Sequence, residues 1–547
     1  MGNSDSNLFL RKATGLVRSW SVLDAFIYAF FSINLVTLGM YIISQMWFFE
    51  GGIIPTIVLS GIIILAEVVV YAGLIAVMPR AGGDYVWQSR ILGSGIGFVL
   101  AVTGWWFILW LWTPLYSDML RHIFFVPILA IAGAKDAALW FASSPSAWFL
   151  VTVFMLIYVA IVIASGMKAY AKVQKFCFWT GNLGLLFVFA FLLLGTHDAF
   201  KAGLEANAAK LFGCQPGVYE ATIAMGQSAG AITPLRGGSL GAIFLAMPYI
   251  VFFNLWPNWG ATLYGEVKGS TDFKKNFWGM AAALIATTVL AVILYLLIAK
   301  TMSWEFYNNA NAAYWSYRWD TTGKVAAPPL PVWPYPALLA LFLTTNPVIQ
   351  IIVLAAMSLW FFGWAGTIFL SSTRVIFSAA FDRMLPEAAA RLEPKTRAPI
   401  NAMLLMVIPG LIVSVLYIWN IGGFASMTLA STLVIAVTFL GTTISAIILP
   451  FKKRDLYESS PIANFKIGKL PLISVFGVIF AAFLIFLLYE WIIDPNGLYG
   501  ISYRNTTSMI YMIVMYALAL GIYLTSRWYR KKKGIAVDKI YKEIPLE

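Results

Sequence analysis

Long apolar blocks are the feature of this sequence that most limits what it can fold into. Residues Ile54–Met78 contain a single charge, Glu67, and Trp148–Ser165 contain none. About 20 consecutive apolar residues cross a bilayer as a helix, whereas a membrane β-barrel would show alternating segments of about 10 residues. Only 11% of the 547 residues are charged, against about a quarter in soluble domains. The sequence therefore predicts an all-α polytopic membrane protein.

The apolar blocks predict about twelve membrane-spanning helices. The approximate ranges are Leu23–Gln45, Ile54–Met78, Gly93–Tyr116, Trp148–Ser165, Phe176–Gly195, Gly238–Tyr264, Phe277–Ala299, Pro347–Phe377, Ile400–Trp419, Ala425–Pro450, Leu472–Ile493 and Met509–Ser526. We expect Glu67 to be the only acid well inside a span, and Ser117–Ala147, Thr196–Gly237 and Lys300–Asn346 to form outer loops.

The distribution of basic residues predicts the orientation in the membrane. Roughly three quarters of the 37 lysines and arginines fall in segments on the same side as the amino terminus. We therefore expect a multi-pass protein of the cell membrane with both termini in the cytoplasm. The net charge of +13 then reflects orientation and contact with anionic membrane lipid, and not a nucleic-acid partner.

The predicted spans and the charge distribution together divide the chain into six segments. These are a cytoplasmic amino-terminal segment (1–22), spans 1–5 (23–195), an outer loop (196–237), spans 6–10 (238–450), spans 11–12 (451–526) and a basic cytoplasmic tail (527–547).

Two of the predicted spans contain residues that interrupt a helix at mid-membrane depth. Span 1 reads FFSINLVTLG over Phe30–Gly39, and span 6 reads MPYIVFFNLWPNWG over Met247–Gly260. Broken helices persist in a bilayer only where they line a cavity, and paired breaks in two halves of a chain indicate a transporter binding site. The alternative is that these residues only pack against neighbouring helices, since Pro and Gly are common in membrane spans. The predicted substrate-binding residues are Ser32, Ile33, Asn34, Leu35, Val36, Thr37, Val251, Phe252, Phe253, Asn254 and Trp256.

Several short stretches on predicted cytoplasmic loops resemble motifs of the amino acid–polyamine–organocation superfamily. Pro79–Val86 (PRAGGDYV) is similar to P-R-[SA]-G-G-[ED]-Y-V, and Arg374–Pro386 (RVIFSAAFDRMLP) resembles R-x-x-x-x-x-A-x-D-G-x-L-P. Pro399–Ala402 (PINA), Glu266–Lys268 (EVK) and Gly166–Gln174 (GMKAYAKVQ) are similar to further motifs in the family's order. Together they make the resemblance specific, although each alone would be weak.

The resemblance implies a leucine-transporter-type fold, with two inverted repeats of five helices and two extra helices. It also implies an amino acid permease whose substrate, an amino acid or a polyamine, binds between the broken first and sixth spans. Backbone N–H groups at an unwound helix attract a carboxylate, and exposed carbonyls accept from an ammonium group. A site built this way suits an α-amino acid whatever its side chain.

Other classes of membrane protein fit the sequence less well. The two histidines form no pair of axial haem ligands, the two cysteines cannot hold an iron–sulfur cluster, and no phosphate-binding loop is present. We therefore predict no enzyme activity, no cofactor and no metal site. The alternative to a transporter is a non-transporting nutrient sensor or an accessory membrane subunit with the same fold.

Three residues are candidates for coupling transport to H⁺ or Na⁺. Glu67 is ionisable within the hydrocarbon region, which marks it as a candidate proton site, although it could instead bond a neighbouring helix. Na⁺ could bind span-1 carbonyls together with the hydroxyl of Thr367 or, next in depth, Ser371. Some members of the superfamily use a span-5 lysine, but the aligned positions here are Gly181 and Asn182. Exchange without a coupling ion is the third possibility.

Overall fold

The computed structural model describes residues 14–427 and 430–544, without the side chains of residues 425–431. Within these residues, twelve helices are long and apolar enough to cross a membrane. Spans 1 to 12 are Val22–Ile43, Ile53–Val77, Ser94–Ile131, Pro145–Ala164, Met167–Leu194, Leu240–Glu266, Phe273–Met302, Pro347–Phe381, Ile400–Ile418, Thr432–Lys452, Leu472–Ile493 and Thr506–Lys532. The predicted all-α polytopic fold is confirmed. The first thirteen residues of the predicted amino-terminal segment lie outside the described part of the chain.

Span 3 differs most from the sequence-based prediction. The helical path continues to Ile131 through two π-helical turns, 103–107 and 121–125, and so includes Asp118. Hydropathy alone does not predict this extension, because Asp118 accepts a 2.7 Å hydrogen bond from Arg121 Nε and the two opposite charges compensate each other inside the protein. The prediction of an outer loop from Ser117 is therefore wrong for its first half, as is the prediction that Glu67 is the only acid deep in a span.

The helices alternate in direction, so the connections fall on two faces. We call the side that carries the connections after spans 1, 3, 5, 7, 9 and 11 the vestibule face. The side that carries the termini and the remaining connections is the terminal face. The vestibule face holds the helices Lys135–Ser143, His197–Phe212, Val218–Ser228, Trp304–Trp319 and Pro336–Ala340, together with the short helical segments Leu341–Leu343 and Ile421–Met427.

The terminal face holds shorter elements. They are the helices Asp84–Ile91, Arg454–Glu458 and Val537–Ile540, the single turns Glu387–Ala390 and Pro461–Asn464, and a small hairpin of β1 (Lys466–Ile467) and β2 (Leu470–Pro471). In the hairpin, Lys466 pairs with Pro471 and Ile467 with Leu470 in antiparallel register.

Burial identifies the central and peripheral spans. In its most apolar window, 94% of span 1 and 78% of span 6 is buried, against 33% of spans 5, 11 and 12. The peripheral spans expose large apolar side chains such as Trp179 and Ile513, as contact with lipid tails requires. The two interrupted spans therefore lie at the centre of the bundle, surrounded by protein.

Candidate functional site

Span 1 is interrupted at Asn34. The α-helix Val22–Ile33 ends there because Asn34 adopts a left-handed conformation with φ of 47°, and a π-helical turn, Leu35–Gly39, follows. The Asn34 side chain stabilises this break from both ends of its amide: Oδ1 accepts from Thr37 N at 2.9 Å and Nδ2 donates to Trp360 O at 3.1 Å. Asparagine tolerates the left-handed region better than most residues because its short amide bonds locally. Asn34 therefore shapes the break.

Span 6 is interrupted just after Asn254. The α-helix Leu240–Asn254 gives way at Leu255 and Trp256, whose ψ angles of 21° and 17° are not helical, and a 3₁₀ helix continues over Pro257–Glu266. Pro257 follows the break and has no N–H to donate. Asn254 Nδ2 donates to Ser60 Oγ of span 2 at 2.7 Å, which ties the end of the α-helix to its neighbour.

The two interruptions lie against each other. A Cβ atom built on Gly39 would come within 2.7 Å of the Phe253 ring, so the absence of a side chain at Gly39 lets span 1 approach span 6. Both interrupted segments are fully buried, since Asn34, Val36 and Phe253 have no exposed surface. The breaks thus form one junction in the centre of the bundle.

Directly beyond this junction, a cavity of about 790 Å³ opens toward the vestibule face. We call it the vestibule. Leu38 of span 1 and Phe252 of span 6 contribute to its inner end, and Trp112 of span 3 and Trp315 of the helix Trp304–Trp319 contribute to its wall. Its volume falls in the range of small-molecule binding sites, about 300–1,000 Å³. The vestibule is therefore large enough for a solute of amino acid size, and its inner end lies at residues of both interrupted spans.

Charged side chains meet in the vestibule wall. Asp118 Oδ2 accepts a 2.6 Å hydrogen bond from Tyr41, and its Oδ1 is shared by Arg121 at 2.7 Å and Arg318 at 3.4 Å. Both guanidinium groups lie over the Trp148 ring, at 4.6 and 5.5 Å from its centroid. Burial would lower the pKa of Arg318, but the Asp118 carboxylate raises it above its usual value, so Arg318 stays charged. One carboxylate between two arginines leaves this wall with excess positive charge.

Aromatic rings close the path from the vestibule toward the terminal face. Trp112 stacks on Trp259 with centroids 5.8 Å apart, and Trp256 meets both rings edge-on. Tyr116 stacks on Trp364 with centroids 3.5 Å apart. These large rings belong to spans 3, 6 and 8, so relative movement of those spans would separate them. They also provide an apolar surface for a side chain.

Below these rings, the terminal face is closed by polar contacts. Arg374 of span 8 donates to Glu266 of span 6 through Nε at 2.6 Å and Nη2 at 3.3 Å. The Glu266 carbonyl accepts from the backbone N–H groups of Ser19 and Trp20 at 2.9 and 3.1 Å. The Trp20 ring is 1% exposed and packs against Tyr28. The segment before span 1 is thus attached to the end of span 6 and blocks access from this side.

A second buried ion pair lies beside the first closure. Arg90 of the helix Asp84–Ile91 donates to both oxygens of Asp382, at 2.5 and 2.8 Å. Tyr85 also donates to Asp382 at 2.8 Å, and the Tyr541 hydroxyl lies 2.9 Å from that of Tyr85. The Asp382 carboxylate therefore joins the connections after spans 2 and 8 to the carboxy-terminal tail.

The predicted site residues divide into two groups. Phe252 lines the vestibule, whereas the other ten lie buried around the two interruptions. The lining residues Tyr41, Asp118 and Arg318 are not among the site residues predicted from the sequence. Asp118 carried a usable signal, since an acid at span depth is a functional candidate, but Arg318 had none because it lies in a long connection.

The predicted coupling residues are also separated. Ser371 Oγ lies 2.8 Å from the Tyr28 hydroxyl and donates to Trp259 O at 3.0 Å, so this hydroxyl is already engaged. Thr367 is 1% exposed and its hydroxyl has no hydrogen-bond partner among the described residues. Glu67 lies on span 2 and does not line the vestibule.

Span 5 packs closely against span 8 at one of the two aligned positions. A Cβ on Gly181 would lie 3.0 Å from the Trp360 ring, and Asn182 Nδ2 donates to Phe178 O within its own helix. A side chain at Gly181 would therefore press on Trp360.

Comparison with known proteins agrees with this architecture. Residues 23–519 match a family model described as amino acid permease, which extends from the first span into the twelfth. No curated protein matched the sequence in a direct comparison. Because the family model covers far more than half of the chain, the protein belongs to the amino acid permease family of the amino acid–polyamine–organocation superfamily.

Proposed function

We propose that this transporter carries an amino acid, or a related solute that bears an amine, across the cell membrane by alternating access. The observation that supports it most is the position of the paired interruptions at Asn34 and Leu255–Trp256. They lie between a cavity that is open on one face and a closed layer on the other. The substrate binds where Ser32–Thr37 meets Val251–Trp256, and the vestibule face is its point of entry. By the distribution of basic residues, that face is the outer one and both termini are cytoplasmic.

The proposed binding mode uses both polar and apolar groups. The amine and the carboxylate of the substrate bind backbone groups of the interrupted spans, since helix ends and unwound segments offer both donors and acceptors. Phe252 and the neighbouring Trp256, whose Nε1 donates to the Phe252 carbonyl at 2.7 Å, contact the substrate side chain. Inward release then requires separation of the Trp112–Trp259 stack and of the Glu266–Arg374 pair.

A thermal-shift screen of the purified protein tests the substrate class. A ligand that binds the folded state raises the apparent melting temperature by mass action, by an amount equal to about 2.7 kcal/mol at 100 times its dissociation constant. We expect at least one amino acid or polyamine to stabilise the protein. If all of them fail while another class of solute stabilises it, the proposed substrate is wrong.

Flux through vesicles that contain only this chain tests transport itself. We expect a solute selected by the screen to exchange across the membrane of these proteoliposomes, and not across protein-free vesicles. Binding without flux would instead identify a nutrient sensor or an accessory subunit with the same fold.

Two single variants separate substrate contact at Asn254 from its structural bond. Asn254→Ala removes the amide that meets Ser60 Oγ at 2.7 Å, and Ser60→Ala removes only the partner of that bond. If Asn254 contacts the substrate, Asn254→Ala raises the substrate KM several-fold more than Ser60→Ala, while both variants insert normally. Equal effects of the two variants would assign Asn254 to the structural hydrogen bond alone.

A further inference from the structure

Two buried carboxylates lie away from the vestibule, and the transport path described above does not use them. Glu67 is on span 2, and Asp84 begins the helix Asp84–Ile91; neither has any exposed surface. An ionised carboxylate in such a place costs several kcal/mol unless a positive charge or hydrogen bonds compensate it. The hydrogen bonds and charges around Glu67 and Asp84 therefore indicate whether both carboxylates can be ionised together.

The hydrogen bonds around the pair are incomplete. Asp84 Oδ1 accepts from the hydroxyls of Tyr71 at 2.7 Å and Thr442 at 2.5 Å. Its other oxygen and both oxygens of Glu67 have no hydrogen-bond partner among the described residues. Glu67 and Tyr71 are four residues apart on one helix and so share a face. Asp84 therefore meets the same face of span 2 that carries Glu67.

Positive charge does not supply the missing compensation. In the described part of the chain, neither carboxylate forms an ion pair, and the charged group that bears on Glu67 is another carboxylate, Asp84. Arg90, the nearest cation along the Asp84 helix, is paired with Asp382. From spans 3, 6 and 10, the neighbouring groups are the neutral side chains of Trp105, Asn258 and Thr442.

Unpartnered polar atoms also surround the pair. Gln88, one turn beyond Asp84, donates through Nε2 to Thr438 O and Thr442 Oγ1, and its Oε1 has no donor among the described residues. The Asn258 amide has no partner for its oxygen or its nitrogen there, and the Trp105 indole N–H has none either. A carboxylate that takes up a proton becomes a donor, which suits an acceptor such as Gln88 Oε1. In agreement, burial raises the pKa of Asp84 to about 6.

The pair is connected to the segment that closes the terminal face. The Gly82 N–H donates to Thr262 O of span 6 at 2.8 Å, and a Cβ on Gly83 would lie 3.0 Å from the Ala261 backbone. Asp84 follows directly, so its backbone lies beside the 3₁₀ half of span 6 that ends at Glu266, while its side chain bonds spans 2 and 10. A change of charge at Asp84 thus acts beside the element whose Glu266–Arg374 pair must separate for release.

We propose that Glu67 and Asp84 together form the binding site of a coupling proton in the transport cycle. This inference rests on the proposed transport function and adds its energy source. A proton fits the site better than Na⁺, because a hard cation needs a shell of several oxygen ligands whereas a proton needs one acceptor and its own carboxylate. The shared proton neutralises one of the two negative charges in one state of the cycle and leaves in the other.

Uptake into proteoliposomes tests this proposal with a labelled mixture of the common amino acids as the probe. A gradient of one pH unit permits up to about tenfold accumulation if one proton moves with each solute. The wild type should accumulate label under one polarity of the gradient, and the internal pH of vesicles given the mixture without a gradient should change. Asp84→Asn and Glu67→Gln should lose accumulation but keep counterflow at equal pH. The matched control is Glu490→Gln, since Glu490 is also a buried acid with an unpartnered oxygen, far along span 11.

The possible outcomes are distinct. Counterflow in the wild type with no response to pH, accumulation driven by Na⁺ alone, or unchanged accumulation in both variants would overturn the proton site while leaving transport intact. Loss of counterflow in both variants would also overturn it, because it would assign the acids to folding or substrate binding. No flux of any kind in the wild type would overturn the transport function itself. If one variant fails to fold, the other still tests the site, and an unchanged internal pH in wild-type vesicles would by itself overturn the proposal.

Discussion

The two faces of the bundle differ in how their charged residues are held. On the vestibule face, the buried Asp118–Arg121 pair lies within span 3, and the partner from another element, Arg318, keeps 27% of its side chain exposed. On the terminal face, Arg374 and Glu266 pair with only 2% and 3% of their side chains exposed. Partly exposed charges exchange partners with water at little cost, whereas separation of a buried pair costs several kcal/mol. The terminal face is therefore the one that resists opening, and the protein is in a vestibule-open, terminal-closed conformation.

The largest expected effect follows from removing one partner of the buried pair. Glu266→Gln leaves Arg374 without its carboxylate in a site that water does not reach, and such changes cost about 3–5 kcal/mol. We expect a marked fall in the melting temperature of the detergent-purified protein. We also expect a cysteine placed at Ser371 to react faster with a thiol reagent applied from the terminal face, because the closure is weakened.

An exposed ion pair on the same face provides the control. Arg454 and Glu458 bond at 2.7 Å with 74% and 55% of their side chains exposed. Glu458→Gln should change stability by no more than about 1 kcal/mol. If Glu266→Gln and Glu458→Gln behave alike, the buried pair is not what closes the terminal face.

The second expected effect is a pH dependence on the terminal side of the bundle. Because burial raises the pKa of Asp84 from 3.8 to about 6, the folded state binds more protons than the unfolded state between these values. Stability should therefore fall as pH rises through this window and level off above it, by about 3 kcal/mol in total. Melting temperatures at pH 4 to 7 measure the slope, which Asp84→Asn should remove. If stability still falls with rising pH in this variant, the pH dependence belongs to another titratable group.

Sequence reasoning located the interruptions but not the vestibule. Helix-interrupting residues at corresponding places in two spans mark a pair of breaks, and the breaks at Asn34 and Leu255–Trp256 fall inside the predicted segments. The vestibule wall combines Asp118 of span 3 with Arg318, 200 residues later, and no local pattern connects such distant positions. The predicted end of span 3 came too early because hydropathy treats paired and unpaired charges alike. The repeat organisation and the roles of the site residues remain predictions.

The third effect concerns the junction between the two faces. Asn34→Ala removes two hydrogen bonds and places alanine at a φ of 47°, which costs about 1–2 kcal/mol in left-handed strain and about 1 kcal/mol for each bond. Asn34→Gly loses the same bonds without the strain, so it should recover part of the stability. Melting temperatures of both variants give the comparison. Equal loss in the two variants would mean that backbone conformation contributes nothing to the break.

The smallest effect on stability is expected at Arg318, and it completes the comparison of the two faces. Arg318→Gln removes a partly exposed cation, yet Asp118 keeps its bonds to Arg121 and Tyr41, so no buried charge loses its only partner. The free energy of unfolding should change by less than about 1 kcal/mol. Binding should respond more than stability, because the vestibule loses its excess positive charge: the affinity for an acidic amino acid should fall relative to a basic one, and the difference should shrink at high salt. Melting temperatures with L-glutamate or L-lysine, at two ionic strengths, measure both effects. A loss of stability as large as that of Glu266→Gln would contradict the distinction between the faces, since it would show that the vestibule charges also hold the bundle closed.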